Sequence, residues 1–262
     1  MDVPASINPD VPSIARTYDY LLGGTHNFPA DREIGDIFVN KFPGAVEIAV
    51  DNRRCMARAV DVMVREFGID QFLDLGSGLP TAENVHQVAQ RVNPAARVFY
   101  VDIDPIVLAH GRELLAGNEL ATLIQADIRD PARILSDPEL RALIDFTRPV
   151  GVIASAVLHH IEDAEDPGGI IRTFRDAVPA GSFLFVSHFR SLGDPGSAAL
   201  EDVMREAFGR GMWRTDAQIA EYLTGTQLVE PGIVPCAQWR PTADPGKLSG
   251  FQQLIAAGLG GK

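Results

Sequence analysis

Phe72-Leu73-Asp74-Leu75-Gly76-Ser77-Gly78 is a short apolar run that ends in an acid and then breaks into two glycines one residue apart. Such a run predicts a buried parallel strand delivering a ligand-binding turn at its carboxyl end, where open α/β sheets place their sites. Gly76 and Gly78 permit positive φ values and close backbone approach, although a bare Gly-x-Gly also occurs in turns that are only structural. Asp74, two residues before the first glycine, sets the sign of the ligand. Its carboxylate repels a pyrophosphate and attracts a cation.

Outward from this stretch, strands and helices alternate. Strands are expected at 71–75, 97–102, 121–125, 149–155 and 182–188, with helices from Thr81 to Val92 and Pro105 to Leu115. This alternation is the signature of a doubly wound α/β fold. Two further strands, 227–239 and 251–258, are joined by a polar loop without a helix, which favours antiparallel pairing. The expectation is a seven-stranded, mostly parallel sheet with an antiparallel C-terminal hairpin. Before residue 70 the pattern is helical only: a tail of about a dozen residues, a helix from Pro12 to Leu22 stopped by Gly23-Gly24, another restarting at Phe28-Pro29, and a longer one to Phe67. Met56, Val60, Met63 and Phe67 give that last helix its apolar stripe, and Gly68 closes it. The organisation reads as a helical arm or lid, residues 1–70, on a ligand-binding core, residues 71–262.

Bulk composition removes several function classes. A formal charge of −12 over 262 residues argues against extended contact with nucleic acid, which needs a basic stripe. No apolar run reaches bilayer length and the N-terminus lacks a signal-peptide pattern, so a cytoplasmic protein with no membrane partner is expected. Cys55 and Cys236 have no metal-like spacing and read as buried small hydrophobes.

The remaining chemistry lies at strand ends. Asp102 closes the second strand 26 residues after Gly76, placed to accept ribose hydroxyls, while Asp104 is the better N-cap before Pro105. Asp127 closes the third, where it either accepts the adenine amine with Ile128 over the ring or caps the turn before Asp130-Pro131. Three acids on one rim suit an adenosine carrying a positive group, S-adenosylmethionine rather than NAD. A dinucleotide fingerprint would also need glycine at position 81, which is Thr81. Past the fourth strand come His159 and His160, either of which suits a general base; taken singly, each reads first as a packing residue. Adjacent histidines seldom share one ion, so no metal site is expected. His26 and Tyr18 stand second as bases. In the arm, Arg16 to Phe28 is dense in aromatic and glycine residues, as a ligand-covering lid would be.

These motifs together resemble the class I S-adenosylmethionine-dependent methyltransferases, whose fold is Rossmann-like. More narrowly, Ala15-Arg16-Thr17-Tyr18-Asp19-Tyr20-Leu21-Leu22-Gly23-Gly24, the following Asp31-Arg32 and Trp239-Arg240-Pro241 are similar to an actinobacterial methyltransferase family once catalogued as a domain of unknown function. The resemblance implies S-adenosyl-L-methionine as cofactor. It places Asp74, Gly76, Ser77 and Gly78 at the methionine end, Asp102 and Ile103 at the ribose and adenine edge, and Asp127 and Ile128 at the base. Ser155 and Ala156 fall at the wall near the sulfonium, and Tyr20, Gly24 and Phe28 in the lid. Methyl transfer to a small-molecule acceptor is implied, with a non-catalytic sensor of the same ligand as the alternative and an NAD-dependent oxidoreductase behind it. Neither the acceptor nor the oligomeric state is written in any residue run.

Overall fold

The computed structural model describes residues 7–80 and 83–262. The expected start of a helix at Thr81 lies outside the described residues, as do residues 1–6 of the expected tail. Three helices come first: α1 (Ile14–Leu21), α2 (Pro29–Lys41) and α3 (Ala45–Phe67). Ser13 caps α1, and α3 ends on Gly68 at φ +69°, a left-handed cap that glycine adopts without strain.

Then follow β1 (Gln71–Leu75), α4 (Val85–Val92), β2 (Arg97–Asp102), α5 (Pro105–Leu114), β3 (Ala121–Gln125), α6 (Pro131–Leu135), α7 (Pro138–Leu143) and β4 (Gly151–Ser155). The chain continues through α8 (Pro167–Ala177), β5 (Phe183–Phe189), α9 (Pro195–Phe208), α10 (Asp216–Tyr222), β6 (Gln227–Leu228), β7 (Val234–Pro235) and β8 (Ile255–Gly261). The path through the sheet is β3-β2-β1-β4-β5-β8-β6, with β7 also on β8. Strands β1 to β5 are mutually parallel, and β8 runs antiparallel to β5 through seven residue pairs from Phe183–Gly261 to Phe189–Ile255. The sheet order reverses beside β1, and there an open α/β sheet forms its crevice.

Alternation along each strand divides the core in two. Phe72, Val98, Ile153 and Phe185 face α3, α4 and α5, whereas Leu73, Phe99, Val152 and Leu184 face α6, α7 and α8. Asp74 shares parity with Phe72 and so points toward α3. Met56, Val60 and Met63 of the expected stripe are buried to 2% or less, and Phe67 stacks on Phe183 at the end of the helix. Arg58 donates to the carbonyls of Trp239 (2.8 Å) and Cys236 (2.7 Å), which ties the Trp239-Arg240-Pro241 segment to α3. Trp239 is fully buried against Phe185, and Arg240 pairs with Glu66 at 2.7 Å.

Two expectations need correction. The stretch 227–239 is not one strand: it holds β6 and β7, separated by a turn in which Gly232 donates to Val229 at φ +84°, so the sheet has eight strands among the described residues. The last strand starts at Ile255, not Phe251, and lies inside the sheet between β5 and β6. Glycine normally weakens a strand, yet here it is required. A Cβ at Gly258 would come within 2.9 Å of Ile233 and Leu223, and one at Gly260 within 2.0 Å of the Thr226 hydroxyl. No helix among the described residues is long and apolar enough to cross a membrane.

Candidate functional site

A cavity of about 790 Å³ runs along the carboxyl ends of the parallel strands. Its floor collects Asp127 and Ile128 after β3, Asp102 and Ile103 at β2, and Asp74, Gly76, Ser77 and Gly78 at β1. Ser155, Ala156, His159 and His160 follow at β4. Ten of the predicted cofactor contacts and both predicted imidazoles therefore meet in one cavity. The helical arm roofs it: Ile7, Val11 and Pro12 lie along it with Thr17 and Tyr18 of α1, so residues 7–12 cover the site where a free tail was expected.

The β1–α4 turn is held against β2. Gly76 and Ser77 donate to the Val101 carbonyl at 2.8 and 3.2 Å, and Gly78 donates to Asp102 Oδ2 at 2.8 Å. At Gly76 (φ +70°) a Cβ would lie 2.4 Å from Val157, whereas at Gly78 (φ +66°) it would meet nothing within 4 Å. The second glycine thus leaves open space above the turn. Asp102 also accepts from the Asp104 amide at 2.9 Å, and Asp104 caps α5 by accepting from Ile106, as expected.

Asp74 is 3% exposed, and its carboxylate accepts no hydrogen bond among the described residues. Burial pushes its carboxyl up to about 7; Arg53 opposes the rise and Asp102 adds to it. Asp102 is pushed up to about 6 for the same first reason, held down in part by the backbone amides of Asp104 and Gly78. A buried carboxylate lacking a donor is costly unless a ligand supplies one. Arg53 shows the complementary need, with a buried Nε that has no partner while its terminal nitrogen donates to Asn84 at 2.6 Å. A cation at Asp74 and an anion at Arg53 would satisfy both, which matches the ammonium and carboxylate of an amino-acid moiety.

Asp127 is engaged differently. Arg129 grips both of its oxygens and also reaches Glu165, holding the Asp127 carboxyl below its usual range. Its free lone pairs, rather than the whole group, remain for a base amine. Asp127 Oδ1 also accepts from the Arg129 amide at 2.9 Å, so it caps the turn before Asp130-Pro131, and Asp130 caps α6.

Three lid expectations fail on geometry. Tyr20 turns away from the cavity, its ring against Gly35 and its hydroxyl donating to Asp36 at 2.6 Å. Gly24 is small because the Asp19 carboxylate occupies the place of a Cβ, 2.0 Å away. Phe28 starts α2 and carries the Arg16 guanidinium over its ring at 5.0 Å. None of the three lines the cavity. The arm tyrosine that does is Tyr18, whose hydroxyl donates to Ala49 and accepts from Asn52, each at 3.0 Å. Burial raises the Tyr18 pKa, which leaves it a poor base. His26 lies against His110, ring centroids 4.1 Å apart and tilted by 45°, and does not line the cavity.

The β4 end is braced by groups that sequence reasoning missed. Asn52 Oδ1 accepts from Ser187 at 2.6 Å, and Ser187 Oγ accepts from the Ala156 amide at 2.9 Å, fixing Ala156 at φ +50°. Asn52 and Arg53 carried a signal: Asn52 lies four residues before Met56, on the buried stripe of α3. Arg214, 3% exposed, donates to the carbonyls of Leu158 (3.2 Å) and Ile161 (2.9 Å) and to Asp163 at 2.7 Å. It also donates to His188 Nε2 at 3.1 Å, which requires that imidazole to be neutral; burial holds it at about 3. His159 packs among His160, Phe189 and Trp213, and burial drives its pKa well below the usual value. His160 is held at about 4, by burial first and by Arg210 second. Each ring has its Nδ1 sealed without a partner. Both are neutral near pH 7.

One family model matches the sequence along residues 2–262. The chain belongs to the S-adenosyl methyltransferase family. It is similar to a Thermobifida fusca YX protein provisionally assigned as a methyltransferase, with 45% identity over 99% of this chain and 98% of that one and a TM-score of 0.95. A DUF574 family protein of Streptomyces avermitilis MA-4680 is 37% identical over 97% of this chain and 100% of its own, with a TM-score of 0.92. An O-methyltransferase family protein of Burkholderia thailandensis, 14% identical over 93% of this chain and 75% of its own, shares the fold at a TM-score of 0.55. No curated protein matches. The family makes this chain an S-adenosylmethionine-dependent methyltransferase with a Rossmann-like fold, and sets the nicotinamide reading aside.

Proposed function

We propose that this methyltransferase acts on a small-molecule acceptor inside the roofed cavity, with Asp74 and Arg53 holding the amino-acid end of the cofactor and Asp102 the ribose. The observation that carries this reading is Asp74, 3% exposed, its carboxylate accepting no hydrogen bond among the described residues, on the cavity floor beside Asp102 and Arg53. Ile103 and Ile128 border the adenine, Asp127 offers its remaining lone pairs to the exocyclic amine, and Gly78 leaves room for the ligand. When bound, S-adenosyl-L-methionine would supply an electrophilic methyl group on a sulfonium, which the acceptor would take in line as the S–CH3 bond breaks and S-adenosyl-L-homocysteine leaves.

The chain's own contribution is chiefly positioning. A roof of residues 7–18 excludes water, and the Asn52–Ser187–Ala156 chain fixes the β4 end, where alignment is worth more than proton transfer. The neutral imidazole of His159 or His160, both on the cavity lining, would take the acceptor's proton. Calorimetry with S-adenosyl-L-homocysteine and NAD tests the ligand assignment: tight binding of the first and none of the second is expected. A labelled-methyl assay against small-metabolite extracts tests the transfer. Binding of NAD in preference, or homocysteine-adduct binding unaffected by Asp74→Asn, would overturn the reading.

A further inference from the structure

The cavity is chemically divided along the strand order. At its β3-β2-β1 end the floor carries Asp127, Asp102 and Asp74; beyond β4 the character changes. Every lining residue contributed by α2, α9, β5 and β8 is apolar, among them Phe38, Phe189, Leu200, Met204, Phe208 and Ile255. Ile255 reaches this rim because β8 is antiparallel, its first residue pairing with Phe189 at the end of β5. The Phe38 and Phe208 rings stack 6.5 Å apart, and Phe189 is stiffened by Trp213 stacked at 4.3 Å.

Arg210 and Arg16, which line the cavity, are already committed. Arg210 pairs with Glu165 at 3.1 Å and donates to the His160 carbonyl, and Arg16 pairs with the fully buried Asp31 at 2.7 Å. A charged occupant would be desolvated here without a counter-charge. The polar groups toward β4 include Ser155, Asn52 and the two imidazoles, with Thr17 and Tyr18 of α1 also on the lining. At about 790 Å³ the whole cavity lies in the upper part of the roughly 300–1,000 Å³ spanned by single-ligand pockets, enough for two small molecules side by side.

We infer that the acceptor is a neutral molecule with an apolar, ring-containing body, seated between α2, α9 and the β5–β8 end with its polar group turned to His159 and His160. The inference rests on the reading of the β3–β1 end as the cofactor's place. A neutral apolar body displaces water from these walls without stranding a charge, and the border imidazoles then select the orientation of its one protic group.

The test uses the full chain saturated with S-adenosyl-L-homocysteine and three probes that share one naphthalene ring: 2-naphthol, 2-naphthoate and 2-naphthylmethylammonium. Calorimetry should show 2-naphthol binding at least about tenfold more tightly than either charged probe. Ala207 lines the same half on α9, and Ala207→Glu should weaken 2-naphthol at least about tenfold while leaving homocysteine-adduct affinity unchanged. Ala207→Leu, which adds only apolar bulk to a helix, should weaken 2-naphthol by filling the space and gives the answer if the Glu variant does not fold. Equal or tighter binding of a charged probe overturns the inference, as does absence of 2-naphthol binding or its indifference to both variants. Failure of the homocysteine adduct to bind the wild type would instead bring down the cofactor reading beneath it.

Discussion

Replacing Asp74 by Asn should stabilise the free protein and weaken its cofactor binding, two effects of one carboxylate. Its pKa is about 7 in the folded chain against an ordinary 3.8, a rise of about 3 units worth about 4 kcal/mol at 1.36 kcal/mol per unit. The sign follows from proton counting. Between about pH 4 and 7 the folded state keeps a proton that the unfolded state has lost, so stability falls as pH rises, then levels off. Asp74→Asn removes that slope. By urea denaturation the variant should match the wild type near pH 4 and exceed it by up to about 4 kcal/mol near pH 8.

Ligand affinity moves the other way, because a cationic ammonium requires the ionised carboxylate. Wild-type affinity for S-adenosyl-L-homocysteine should rise up to about tenfold per pH unit below 7 and plateau above, with Asp102 adding a second slope below about 6. Above pH 7 the Asn variant should bind about ten- to a hundredfold more weakly, the loss of a charge-assisted contact of about 1.5–3 kcal/mol. Proton release on binding, read from calorimetry in buffers of different ionisation enthalpy, should disappear in the variant for this group. An Asn variant no more stable than the wild type near pH 8, or wild-type affinity flat from about pH 5.5 to 8, would refute the reasoning.

Other outcomes follow from the same geometry. Asp31 is fully buried and accepts from the amides of Ser13 and Phe28 and from Arg16, so Asp31→Ala should lower stability by about 3–5 kcal/mol in thermal or urea melts and free α1 to proteolysis. Arg214 positions the segment that carries both imidazoles without lining the cavity. Arg214→Lys should cut turnover about tenfold or more with homocysteine-adduct affinity unchanged, once an acceptor is in hand. If His160 is the base, the acid limb of the pH–rate profile assigned to it should lie near 4, not at the ordinary 6.5, and His160→Gln should remove it. Gly76→Ala forces a left-handed backbone and a contact with Val157 and should lower both the melting temperature and cofactor affinity, the backbone alone by about 1–2 kcal/mol.

Particular elements show why some of this was legible in sequence. Strands β1, β2 and β3 match their expected bounds because each is a short apolar run, β1 and β2 buried almost throughout and β3 alternately buried and half-buried at the sheet edge, stopped by an acid, a glycine or a polar pair. Strand β8 was misplaced because Gly258 and Gly260 look like strand breakers until Leu223, Thr226 and Ile233 are seen pressed against them. The lid contacts were misassigned for a different reason. Tyr18 and Tyr20 are two apart on α1, which places them on opposed sides of a helix, and only the packing of α1 on α2 and α3 chooses which side meets the cavity.

The amino-acid order by itself determined the alternating α/β architecture, the rim on which the acids fall and hence the charge of the ligand, since strand period and strand ends are local properties of the chain. Tertiary structure alone decided which arm residues roof the cavity, that Arg53 and Asn52 join the site from α3, and that the half beyond β4 is apolar. Those groups are separated from Asp74 by up to about 180 residues of chain, and no local pattern encodes which surfaces long-range packing brings face to face.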